Sequence, residues 1–285
     1  MLKVGISLAL ATLSYFFVEA PARRYLNRKE SQRAAFGALA ATLLCCVPLG
    51  NYLRAINYVN AEERQVKAGG LRYDDRLTAP LVTLMGDSNG SMYGRTVRDL
   101  SHQLGLRLHV ISVAASSPIP ATSGDDPPLW LESLDALRRD RPRVLIYVCL
   151  WTKFVGEQER LTRAIDSLVP LADHVVLITQ PPERPDSGTR EAIRSGSRAP
   201  FTEAGYVRGQ RNEVDALVRA LRRASVTVID IEDLFTQADG SVRIQGDDGQ
   251  MLYQDRTHLS GAGADLVAER LRVVLQASVS RASTN

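Results

Sequence analysis

Two short segments, far apart in the chain, carry the residue types of nucleophilic catalysis. "GDSN" (Gly86 to Asn89) follows an apolar run, and "DRTH" (Asp255 to His258) precedes a final helix-like tail. A serine hydroxyl is a poor nucleophile until a base within hydrogen-bond reach takes its proton, and that base needs a third group to orient it. Asp255 stands three residues before His258, so a turn presents both on one side, with the carboxylate near the imidazole Nδ1. The chain has four histidines. His102 falls in a helical stretch, and His109 and His174 fall in or beside strands, which leaves His258 as the base. The chemistry these residues suit is acyl transfer through a covalent intermediate on Ser88, with Asp255 orienting His258. The plainer alternative is that Gly86, Asp87 and Ser88 cap a helix, while Asp255 and His258 are ordinary surface residues. Asp87 reads as a structural acid that bonds amides in its own turn. Cys149, in an apolar run with no base beside it, reads as a buried thiol.

The elements that must position these residues are legible as alternating strands and helices. Apolar, β-branched runs occur at 81–85, 107–113, 143–150, 174–180 and 225–231. Helical patterns fall between them at 90–104, 129–139, 158–171 and 209–223, with a last helix at 260–276. Strands this apolar, spaced by helices, predict an α/β fold with a parallel sheet covered on both faces. Ligands of such sheets bind at the carboxyl ends of the strands, the edge where "GDSN" falls. Ser260 is the expected N-cap of the last helix. The Pro-, Gly-, Ser- and Arg-rich stretch 181–202 reads as a surface loop and candidate lid.

The chain of 285 residues exceeds a typical single domain, and its net charge of +3 is uneven. Up to Arg54 there are seven basic and two acidic residues, +5; the remaining 28 basic and 30 acidic residues give −2. The basic excess therefore sits at the N-terminus, and nucleic acid is not an expected partner. Three cysteines at 45, 46 and 149 give neither a disulfide framework nor metal-ligand spacing, so no metal is expected. Two uncharged apolar runs, Val4 to Val18 and Ala34 to Leu53, flank a loop with five basic residues. Runs near 17 to 25 residues are read as spans, and basic loops stay in the cytoplasm. The expectation is a membrane hairpin at 1–53, a linker at 54–77 and a domain at 78–285 outside the cytoplasm. A cleaved signal peptide fits the first run less well, because its basic flank is on the wrong side.

"LSYFFVEAPARRYL" (Leu13 to Leu26) resembles the end of the membrane domain of the acyltransferase-3 family, through Glu19, Pro21 and Arg23. "GDS" after the first strand with "DRTHLS" before the last helix resembles the SGNH (GDSL-like) hydrolase family. Ser88, Asp255 and His258 match its triad residue by residue. The two resemblances together imply the C-terminal part of an acyltransferase-3 protein with a fused SGNH domain. The implied fold is a flavodoxin-like, three-layer SGNH sandwich with a parallel sheet, preceded by two transmembrane helices.

The middle motifs depart from the family. Where it offers a glycine amide to the oxyanion hole, this chain has "VAASSPIP", with Ser116 or Ser117 at that place; where it has Gly-x-Asn-Asp, this chain reads "VCLWTKF". The Ser88 amide, Asn89 and Ser116 or Ser117 are the candidate oxyanion donors. Trp151, at a place that resembles SGNH domains fused to acyltransferase-3 units, is a candidate for sugar contact or for packing. The resemblance implies an O-acyltransferase, most simply an O-acetyltransferase, acting on an extracytoplasmic glycan from the inner membrane. It also implies a membrane acyltransferase partner and acetyl-CoA as cytoplasmic donor. A glycan acyl esterase with the same triad, and an inactive glycan-binding SGNH domain, remain as alternatives.

Overall fold

The computed structural model describes residues 12–26, 32–57, 60–74, 77–185 and 199–280. The chain divides into two compact units, Met1–Arg54 and Ala55–Asn285.

In the first unit a π-helical turn, Tyr15–Glu19, runs into α1 (Ala20–Leu26), and α2 spans Gln32–Asn57. Phe16, Phe17, Phe36, Leu39, Leu43, Leu44 and Val47 are all exposed. The expected pair of membrane spans is not shown by the described residues. Most of the first apolar run lies outside the described residues. The second lies within α2, with Pro48 inside the helix. Among the described residues, no helix is long and apolar enough to cross a membrane.

The second unit is built on six strands: β1 (Leu71–Tyr73), β2 (Leu81–Gly86), β3 (Arg107–Ser112), β4 (Val144–Val148), β5 (His174–Ile178) and β6 (Val226–Ile229). Their order across the sheet is β1-β3-β2-β4-β5-β6. All neighbours are parallel except β1 with β3. Every residue of β2, β4 and β5 is buried. Successive side chains of a strand face opposite sides, so complete burial means that both faces of the sheet are covered. The sheet is therefore mixed rather than wholly parallel.

The helices of this unit are α3 (Glu63–Lys67), α4 (Ser88–Ser91), α5 (Gly94–Gln103), α6 (Pro128–Asp140), α7 (Gln158–Leu168), α8 (Gly205–Ala220), α9 (Glu232–Phe235), α10 (Gly261–Asp265) and α11 (Ala268–Ser280). Each long one buries a stripe at helical spacing: Val97 and Leu100 on α5, Leu134 and Leu137 on α6, Leu161, Ile165 and Leu168 on α7, Val214 and Val218 on α8. Proline at the first position of α6 suits a helix start, where its missing N–H costs nothing.

Two segments differ from the sequence-based expectation. The stretch expected as linker is part of the fold, because Ala61 and Val66 are in the core and β1 is a sheet strand. A three-residue strand with exposed Arg72 at its centre offers no periodicity to read. Residues 181–184, expected at the surface, are buried. The rest of that loop, 186–198, lies outside the described residues, and with it the candidate lid.

Candidate active site

β2 ends at Gly86, paired in register with Val148 of β4 and Ser112 of β3. A Cβ at Gly86 would lie 1.8 Å from the Val148 carbonyl oxygen, so only glycine permits this approach. Gly90, one turn on, is similarly pressed between the Val148 carbonyl and Ser112. The two glycines let the chain turn from strand to helix tightly against the neighbouring strand. Ser88 is thereby the first residue of α4 at the carboxyl edge of the sheet.

Asp87 fixes that turn. As N-cap of α4 it accepts the Asn89 N–H through Oδ1 at 2.8 Å, and through Oδ2 it accepts the Leu150 N–H at 3.1 Å. Burial pushes its carboxyl above the ordinary value, and the two amides oppose that rise. Lys153 Nζ stands 3.9 Å from Oδ2. Asp87 therefore ties the segment after β4 to the serine turn. Ser112, which sequence reasoning passed over, donates to the Asp87 carbonyl at 2.6 Å and meets Ser91 Oγ at 2.8 Å. Its only sequence signal was its place at a strand end.

His258 arrives from the other end of the unit. The turn 254–258 is closed by the Gln254 N–H donating to the His258 carbonyl and by Asp255 Oδ1, which accepts the N–H groups of Thr257 and His258. Ser260 then caps α10 by accepting the Gly263 N–H. The structure brings Ser88, His258 and Asp255 into one hydrogen-bonded chain. Ser88 Oγ lies 2.8 Å from His258 Nε2, and His258 Nδ1 lies 2.8 Å and 2.9 Å from the two Asp255 oxygens. Partial burial raises the Asp255 carboxyl, but the imidazole and the two amides outweigh it and hold it below the ordinary range.

The remaining candidates are placed differently. The Asn89 backbone N–H is taken by Asp87, while its buried side-chain amide has no protein partner among the described residues. Ser116 and Ser117 are half-buried in the turn after β3, where Ser117 Oγ donates to the Ile119 carbonyl. Among the described residues neither hydrogen-bonds to the Ser88–His258–Asp255 chain. Of the two roles expected for Trp151, sugar contact or packing, the structure shows packing. It is fully buried, its indole N–H donates to the Ile178 carbonyl at 2.7 Å, and its ring packs edge-on against Tyr147. No face is left for a sugar. The Cys149 thiol is buried, and burial pushes it well above its ordinary value.

Beside this hydrogen-bonded chain lies a cleft of about 450 Å³, lined by Thr152, Lys153, Glu183, Gln210, Asp255 and Arg256 among others. Glu183 lines it and is missing from the sequence-based candidates. An acid in a Pro-rich loop gives no motif signal.

The family model for "SGNH domain (fused to AT3 domains)" matches residues 56–272. The chain belongs to that family. The match covers about three quarters of its length and includes all three residues of the hydrogen-bonded chain. No curated protein matches it. Among solved structures it is similar to the periplasmic domain of a lipopolysaccharide acetyltransferase from Salmonella ser. Paratyphi A. That similarity has a TM-score of 0.51 at 13% identity, over 69% of this chain and 85% of the other. It is also similar to a catalytic mutant of an acetylxylan esterase from Geobacillus stearothermophilus, at a TM-score of 0.42 and 14% identity, over 68% of this chain and 92% of the other. At such identities the likeness is one of fold.

Proposed function

We propose that this SGNH domain transfers an acyl group, acetyl in the simplest case, to a hydroxyl of an extracytoplasmic glycan through Ser88. The observation that carries the reading is the unbroken contact from Ser88 Oγ through His258 to Asp255. His258 Nε2 takes the hydroxyl proton as Oγ attacks the acyl carbonyl, and Asp255 holds Nδ1–H and favours the imidazolium. Collapse of the tetrahedral intermediate expels the donor's leaving group, which receives the proton from His258. A glycan hydroxyl then attacks the acyl-serine, gives its proton to the same nitrogen, and regenerates Ser88. The oxyanion of each intermediate is assigned to the Ser88 N–H, with the Asn89 side-chain amide as second donor.

Membership of a family fused to acyltransferase-3 domains supports acyl transfer over plain hydrolysis. It also supports a membrane partner that passes the acyl group across from a cytoplasmic donor such as acetyl-CoA. The unit Ala55–Asn285 is accordingly assigned to the outer face of the inner membrane, with Met1–Arg54 on the membrane side. The test is glycan acetylation, read by mass spectrometry, in cells that make this chain together with an acyltransferase-3 membrane domain. Ser88→Ala should abolish acetylation without loss of the protein. Undiminished acetylation would make the domain a binding module. Efficient deacetylation of glycan by the chain alone would make it an esterase.

A further inference from the structure

The loop that carries Asp255 and His258 is not held by the triad alone. Arg256, between them, sets its guanidinium on Glu183, with Nε and Nη2 both 3.1 Å from Oε2. The other oxygen, Oε1, accepts Thr152 Oγ1 at 3.0 Å and Gln180 Nε2 at 2.7 Å. Glu183 itself is buried, and its backbone N–H donates to Glu203, which Arg211 grips from α8. The neighbouring Arg184 N–H donates to the Arg256 carbonyl. One buried carboxylate thus joins three segments: the turn after β4, the segment after β5 and the loop with the base.

We propose that Glu183 and Arg256 are positioning residues for the base. They fix the 255–258 loop against the end of the sheet so that His258 Nε2 stays in hydrogen-bond reach of Ser88. This rests on the catalytic reading of Ser88 given above. A buried carboxylate persists only when its oxygens are satisfied, so the site tolerates few other arrangements of its donors. The Asx turn at Asp255 sets the shape of the loop but does not attach it to the sheet. The Arg256 link does. A base displaced by about 1 Å loses on the order of a hundredfold in rate while substrate binding persists.

The experiment uses the full chain and hydrolysis of p-nitrophenyl acetate, with Ser88→Ala as reference. Glu183→Gln and Arg256→Met should each lower kcat by roughly ten- to a hundredfold with KM within about twofold. Circular dichroism should be unchanged, and Arg256→Lys should recover most of kcat. If Glu183→Gln does not fold, the two Arg256 variants carry the test, because that side chain is 39% exposed. Three results would overturn the proposal: kcat unchanged in the variants, KM raised at constant kcat, or Arg256→Lys no better than Arg256→Met. These failures are distinct from failure of the catalytic reading, which would appear as full hydrolysis by Ser88→Ala.

Discussion

Asp255 serves a turn and an imidazole with the same carboxylate. Oδ1 accepts the N–H groups of Thr257 and His258, and both oxygens face His258 Nδ1. These roles separate under substitution. In Asp255→Asn the amide oxygen can still close the turn, but it no longer favours the imidazolium or the required tautomer. Ester hydrolysis should fall by about 10⁴-fold with the fold intact, measured by kcat beside circular dichroism. Because the folded carboxyl lies below its ordinary value, its stabilising contribution is complete above the ordinary range and is lost as pH falls through the lowered value. Asn89 gives a second test at this scale. Asn89→Ala should lower kcat by about 10²- to 10³-fold if its side chain is an oxyanion donor, and should leave kcat unchanged if it only fills space. The contact of Asp255 with His258 was legible because a three-residue spacing implies a shared turn. Glu183 was not, because its role exists only where three distant segments meet. Of the two roles open to Trp151, sugar contact or packing, the sequence could not choose, because position after a strand says nothing about which way a ring points.

The packing of whole strands and turns explains what else could be read. Five strands announced themselves because burial on both faces, complete in β2, β4 and β5, favours apolar and β-branched runs. β1 did not, since an edge strand of three residues has no such demand on it. The glycines of the serine turn suggested a tight turn, but not the partner they meet. That partner, the Val148 carbonyl, belongs to β4, 62 positions along by its number. Gly86→Ala forces a Cβ into backbone, which cannot move without breaking the β2–β4 pairing. It should destabilise the unit by more than about 3 kcal/mol, seen as loss of soluble protein or a lowered urea midpoint. Trp151→Phe removes the indole N–H and leaves the Ile178 carbonyl unpaired in the core. It should cost about 1–3 kcal/mol in urea unfolding, and leave glycan affinity unchanged.

Across the molecule, stability should carry the imprint of Asp215. This α8 acid is buried, accepts the Gln180 N–H at 3.1 Å and lies 3.4 Å from Arg211. Burial pushes its carboxyl up to about 6 despite those partners. Between the ordinary carboxylate value and about 6, the folded protein holds a proton that the unfolded chain has released. Stability therefore falls as pH rises through that window, by up to roughly 3 kcal/mol from this group. Asp215→Asn should flatten the difference between urea unfolding at pH 4.5 and pH 7, followed by tryptophan fluorescence. Both tryptophans, Trp130 and Trp151, are buried in the second unit and report on it. The contact between Ser88 and His258 closes a separation of 170 residues. Long-range contacts of this kind are entropically expensive and form late, after the local helices and strand pairs that bring their ends together. Enzymatic activity is thus a stopwatch for folding. In refolding from urea, fluorescence should recover first and ester hydrolysis should trail it, because a chain can bury its tryptophans before Ser88 has met His258.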